Sequence, residues 1–372
     1  MGADMKDERA HLQLFDLIAR DWTVSSAVEQ ITFNTDGSAV AFGCADGSVY
    51  LAATADKSSP NARIRRAVDT ARLTIAPRDK PFLPLKAADF TDGRSTPVVP
   101  NGATNFAFAK KTGRINTLTA GGIASHMVPR APGPISALAL SPDGATLAYA
   151  CGTDVFVTPA GADAAQRLDA PDTIAGLAFS PDGLTLAVAH GAGISRWSVA
   201  APEQPPQHTP ITGRPRNLAW RGDGAWLVAC LAEGGFCVVE TATNALQIHG
   251  DFPSPVRHAA FGMTTGTVVA AGAFRVAAWN LADNSDVMTG KAGLVLIDAI
   301  AACPTRNLVA VGYANGLLSL AEIGRPSEIL LREDTGAAIT VMAWSGNGTY
   351  LATAGTDGSA ALVEFPDAMF KT

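Results

Sequence analysis

Eight times along the chain a tight polar turn sits between two short apolar runs, and this repeat constrains the fold more than any other feature. One turn residue marks each unit: Asp36, Asn101, Asp143, Asp182, Asp223, Thr265, Thr305 and Asn347. From Asn101 onward the marks lie 39 to 42 residues apart. The first two lie 65 apart, one period plus an insertion of about 24 residues. Self-similarity at such a period implies a stack of supersecondary units, none of which can bury its apolar faces alone.

Each unit has the same internal order. A first strand ends in a large residue or its stand-in (Phe33, Leu140, Phe179, Trp220, Phe261, Ala302, Trp344). A turn follows, written NTDG, SPDG, SPDG, RGDG and SGNG in five units. Next comes a strand of small residues such as AVAFGC, TLAYAC, TLAVAH or YLATAG, then a second turn and a third strand such as SVYLA or ISRWSV. Short strands bounded by Gly, Asp and Asn turns predict β-meanders, and four-stranded units of about 40 residues predict propeller blades. Gly (36) and Pro (23) suit such turns better than long helices.

These units resemble WD40 repeats, and the likeness runs through nearly the whole chain from about residue 14. FNTDGSAVAFGCADGSVYL and WSGNGTYLATAGTDGSAALVEF carry it most closely. The repeats are degenerate: no unit has the Gly-His dipeptide, and the terminal Trp-Asp is reduced to Trp197-Ser198 and Trp279-Asn280. Asp46, Asp154 and Asp357 keep the acid of the second turn but lack the His that would complete the family's hydrogen-bond chain. The resemblance implies an all-β fold, a β-propeller of four-stranded blades. Eight blades are favoured, with seven plus a long excursion as the alternative. Residues 1–372 read as one domain. The last unit stops without an outer strand, so the N-terminal segment at about 13–23 is expected to supply it and close the ring, removing an open sheet edge.

Net charge of −6, with 47% hydrophobic and 17% charged residues, argues against disorder and against nucleic acid as the main partner. No window approaches 18 uninterrupted apolar residues, and the first 20 residues have no apolar run of signal-peptide length. Five scattered cysteines fit free thiols in a reducing compartment. A cytoplasmic monomer is expected.

The resemblance also implies that partners meet the face carrying the second turns and the loops that lead into each first strand. The second-turn positions hold Cys44, Lys110, Cys151, His190, Leu231, Phe274, Arg275 and Tyr313. The leading loops hold Arg130, Arg214, Arg216, Arg257 and His258. Arg, Tyr and Phe are residue types enriched at binding hot spots. Cys44, Cys151 and His190 share one register in three blades and are the metal-ligand candidates. Their placement on different blades predicts separations too large for one ion.

Residues 55–89, between the first and second blades, form a basic insertion with eight Lys or Arg (Lys57, Arg63, Arg65, Arg66, Arg72, Arg78, Lys80, Lys86) against four Asp. Arg63, Arg65 and Arg66 are the candidates for docking an acidic partner. There is no G-x-S-x-G elbow, C-x-x-C pair or P-loop. The expected function is a non-catalytic scaffold that holds a protein partner on one face and needs no cofactor. The alternatives are a small-molecule or metal-binding propeller, or a propeller enzyme with its site near the axis.

Overall fold

The computed structural model describes residues 12–66, 73–88, 97–110, 112–119, 122, 124–127, 131–159, 162, 164–263 and 265–370. Eight antiparallel sheets stand around a central axis as blades, seven of them four-stranded. Their first strands run Val28–Phe33, Val98–Asn101, Ala137–Leu140, Ile174–Phe179, Pro215–Trp220, Ala259–Gly262, Ile297–Ala302 and Ile339–Trp344, here blades 1 to 8. Each packs on the first strand of the next blade, and the last packs on the first, so the innermost strands form a closed ring.

Local chemistry explains the recurrent turn. Ser141 donates its hydroxyl to Asp143 Oδ1 (2.5 Å) and accepts from the Thr146 N–H (2.8 Å), while Asp143 also caps Ala145 N–H (2.9 Å). Gly144 then takes φ of 73°, open to glycine without strain. Ser180, Asp182 and Gly183 repeat the device, as do Ser345, Asn347 and Gly348.

Second strands are buried on both faces, as in Ala39–Cys44 and Thr267–Ala270, which is why they are written in small apolar residues. The core is therefore a series of inter-blade layers. One layer packs Val28, Phe33, Val40 and Phe42 of blade 1 against Val341, Ala352 and Leu362 of blade 8. Trp220 donates its indole N–H to the Ala178 carbonyl of blade 4 (3.1 Å), and Trp344 donates to Ala301 of blade 7 (2.9 Å). The two tryptophans that end first strands thus stitch blade 5 to blade 4 and blade 8 to blade 7.

Ring closure follows the expected route, with a shorter strand. Ala19–Thr23 is the outer strand of blade 8, paired from Ala19↔Val363 to Thr23↔Ser359. Residues 14–18, expected in that strand, instead form one helical turn. Asp16 accepts from Gln13 N–H (2.8 Å), and Phe15 and Ile18 are buried against Leu331 and Phe365. Blade 6 also departs from the pattern. Its fourth strand is reduced to bridges at Val276↔Thr289 and Trp279↔Asp286, and the chain leaves the sheet at Gly290 with φ of 70°.

The basic insertion lies across the closure. A turn of helix at Pro60–Arg63 leads into a hairpin, Ile64–Arg66 with Leu73–Ile75, and Lys86–Ala87 returns as the outer strand of blade 1. Its contacts reach both end segments: Trp22 donates to the Leu83 carbonyl (3.0 Å), and Asp367 N–H donates to Asn61 Oδ1 (3.2 Å). Arg20 of the closing strand donates to the Thr54 carbonyl (2.7 Å), and Arg78 pairs with Asp56 (2.6 Å). Among the described residues no helix is long and apolar enough to cross a membrane.

Candidate functional site

The two faces of the ring differ. The SPDG-type turns lie on the lower face, around a hollow lined by residues such as Phe33, Leu140, Ser141 and Trp344. The second turns and the loops leading into first strands lie on the upper face, where the channel opens.

The first strands shape that opening. In five blades the strand shifts register between its first and later pairs, at Val28/Gln30, Ile174/Gly176, Arg216/Ala219, Ile297/Ala299 and Ile339/Val341. Such bulges re-aim side chains. The skipped residues include Glu29, Ala175, Asn217, Asp298 and Thr340. Glu29, Asn217 and Thr340 bring polar groups to the mouth of the channel, and none of them was singled out from the sequence. The available signal was their shared register, one or two residues into each first strand.

Polar bonds cross the neck from blade to blade. Asn217, left-handed with φ of 53°, donates Nδ2–H to the Arg257 carbonyl (2.9 Å). His258 reaches past blade 7 to donate Nε2–H to the Thr340 carbonyl (2.8 Å), and the Thr340 hydroxyl donates to the Val28 carbonyl (3.2 Å). Burial holds the His258 imidazole below its ordinary pKa, so it stays neutral and serves as a neutral donor. Burial raises the Asp298 carboxyl, and neighbouring Arg257 pulls it back.

Arg216, Arg257 and His258 come together here. With Glu29, Asn217 and Thr340 they line a hollow of about 740 Å³ at the mouth. Arg216 and Arg257 are exposed, and neither has an ion-pair partner among the described residues. Arg214 differs: its side chain and its own N–H both bond Glu233, each at 2.7 Å.

Phe274 and Arg275 sit at the rim of blade 6. Phe274 is exposed, while Arg275 is half-buried with its Nε unpartnered. Tyr313, expected at the rim, is buried instead and donates its hydroxyl to Glu328 Oε2 (2.8 Å). Its ring helps floor an apolar hollow of about 360 Å³ beside Leu294, whose side chain is 96 % exposed. Leu231 is buried, Lys110 follows the second strand of blade 2, which ends at Ala109, and Arg130 lies outside the described residues.

The three metal-ligand candidates are accounted for separately. Cys44 is buried and its thiol is pushed up to about 11 by burial, while Cys151 makes a contact of 3.5 Å to the Gly133 carbonyl. His190 is fully buried and held down at about 4 by burial. Its Nδ1 accepts from Ala192 N–H (3.3 Å), so Nε2–H donates to Ser195 Oγ (2.9 Å), which in turn donates to His208 Nδ1 (3.1 Å). Both ring nitrogens of His190 are thereby occupied. Among the described residues no group of three or more His, Cys, Asp or Glu is placed to hold a metal ion.

The insertion candidates divide. Arg63 is buried and donates to three main-chain carbonyls, of Ser58 (2.9 Å), Ala76 (2.6 Å) and Leu17 (2.5 Å). Arg65 and Arg66 are exposed on the hairpin, and Arg72 lies outside the described residues.

A family model described as WD domain, G-beta repeat, matches residues 328–362, which span the outer strand of blade 7 and most of blade 8. Among solved structures, the chain is similar to the computationally designed Ika8 protein, with a TM-score of 0.67, 16% identity and coverage of 94% of this chain and 99% of that one. It is also similar to the C-terminal WD40 domain of Sif2, with a TM-score of 0.63, 14% identity and the same coverage. No curated protein matches its sequence. Ring, repeat and likeness agree: the chain is an eight-bladed β-propeller, and its segment 328–362 is similar to a WD40 repeat.

Proposed function

We propose that this protein is a non-catalytic interaction scaffold that grips a protein partner on its upper face. The observation that carries the reading is a pair of exposed guanidiniums, Arg216 and Arg257, without ion-pair partners among the described residues, at the mouth of a hollow of about 740 Å³. Arg78, Arg167, Arg214, Arg221 and Arg325 pair with carboxylates, whereas Arg216 and Arg257 at the mouth, like Arg65 and Arg66 of the insertion, have no ion-pair partner among the described residues and are left for another molecule. Arg binds carboxylates in a two-pronged geometry and is enriched at hot spots, as are aromatic anchors. Exposed Phe274 and Leu294 supply apolar contact farther out on blades 6 and 7. The partner is therefore one with acidic groups near an apolar anchor. Arg65 and Arg66 of the insertion provide a second basic contact. The cytoplasm is the proposed compartment, and a monomer the proposed state.

Affinity capture from native cells at modest salt tests this, with wild type beside the double variant Arg216→Ala/Arg257→Ala. The expected result is one specific protein held by wild type and lost from a variant with an unchanged melting temperature. Equal capture by both, or by neither, rejects the reading.

A further inference from the structure

Below the mouth the channel neck holds a cavity of about 490 Å³, within the range of small-ligand sites. It is bounded by first-strand segments, and by those leading into them, of blades 1 to 6, and its walls are unequal. On one side stand the small groups of Ser136, Ala137, Ala175 and Gly176, with Leu138 and Leu177 beside them. On the other stand Glu29, Asn217, Arg257 and His258.

Those four groups form a complementary set. Glu29 and Arg257 bring opposite charges to one cavity, yet neither makes an ion pair within 4.0 Å among the described residues. Asp298 stands close enough to feel Arg257 but makes no ion pair with it among the described residues. Asn217 spends Nδ2 on the Arg257 carbonyl, and its Oδ1 takes no hydrogen bond among the described residues. His258 spends Nε2–H on Thr340, so Nδ1 of the neutral ring is an open acceptor. The cavity therefore offers a carboxylate and two neutral acceptors together with one guanidinium.

Acceptors around a carboxylate suit an ammonium, and a guanidinium suits a carboxylate. A simple anion in this space would face Glu29, and a simple cation would face Arg257, so each would leave one protein charge desolvated and unpaired. We propose that the neck is a binding site for a small zwitterion, a free amino acid or a short peptide with both ends unblocked. Glu29, Asn217 Oδ1 and His258 Nδ1 receive the ammonium, and Arg257 receives the carboxylate. The small-residue wall at Ala175 and Gly176 makes room for the ligand's body. This goes beyond the partner-binding reading, whose distinguishing residue, Arg216, is not used here.

The test is calorimetric titration of the full chain with each protein amino acid and with dialanine, followed by the N-acetyl and amide derivatives of the tightest binder. The expected result is saturable binding, weakened about tenfold or more by either blocking group. Glu29→Gln, with an unchanged melting temperature, is expected to weaken the zwitterion by about tenfold and to leave the N-acetyl form no worse than in wild type. Tightest binding by a single amino acid assigns that ligand, and by dialanine a peptide; both uphold the proposal. It is overturned if no zwitterion binds up to about 10 mM, or if blocked and unblocked forms bind alike. Partner capture by wild type alongside an absence of zwitterion binding separates failure here from failure of the scaffold reading.

Discussion

Gly193 opens the third strand of blade 4 with φ of 136°, and a Cβ there would stand 2.2 Å from the Thr209 carbonyl oxygen. Gly102 also has positive φ, 63°, but a Cβ would meet nothing within 4 Å. Both positions strain an L residue, Gly193 more than Gly102, and only Gly193 adds a collision. Gly102→Ala is expected to cost about 1 kcal/mol and Gly193→Ala about 2–3 kcal/mol, read from denaturant midpoints. Similar losses for both would show that the close approach to Thr209 relaxes freely. The sequence marks both positions as glycine in a turn, but the collision comes from Thr209 on the neighbouring strand. His190 teaches the same lesson. Its register suggested grouping with Cys44 and Cys151, whereas its chemistry is settled by Ser195 and His208 within its own blade.

Among the elements, the insertion departs most from its composition. Eight cations read as a docking arm, yet Arg63 serves three main-chain carbonyls, Arg78 serves Asp56, and Lys86 pairs within blade 1. Removing Arg63 would strand those carbonyls in a partly buried space. Arg63→Ala is therefore expected to destabilise the fold by about 2–4 kcal/mol, whereas Arg65→Glu/Arg66→Glu stays within about 0.5 kcal/mol of wild type. Thermal and urea unfolding measure both. If Arg63→Ala unfolds like wild type, the insertion is not a brace. The contrast was not legible in a run of like charges, because burial of an arginine depends on which carbonyls the fold brings to it.

For the ring as a whole, the weak point is where its ends meet. The closing strand, the last strand of blade 8 and the insertion converge on Arg20, Asp56, Arg63 and Glu364. Burial raises the Glu364 carboxyl to about 7, against an ordinary 4.5, with Arg20 opposing the rise. An acid with a raised folded pKa binds its proton more tightly when folded. Its contribution is full below about 4.5 and is lost as pH climbs through about 7. From about pH 5 to about pH 8, wild type is expected to lose on the order of 1–3 kcal/mol relative to Glu364→Gln in urea denaturation. Parallel profiles for the two proteins would exclude Glu364 as the titrating group.

The period, the turns and the small-residue second strands were all legible, because each depends on residues close together in the chain. A Ser, an Asp and a Gly within four positions make the lower-face turn wherever they occur. Eight such units with a strand missing at one end and an apolar stretch at the other imply a ring and its closure. The helical turn at residues 14–18 escaped, since an apolar run there reads equally as strand until Leu331 and Phe365 bury one side of it. Of the channel only Arg216, Arg257 and His258 were legible, as residues of the loops leading into first strands. Glu29, Asn217, Arg257 and His258 are separated by up to 229 positions and belong to three blades. Only rotation of the blades about a common axis, with bulges turning the first strands inward, brings those charges into one cavity.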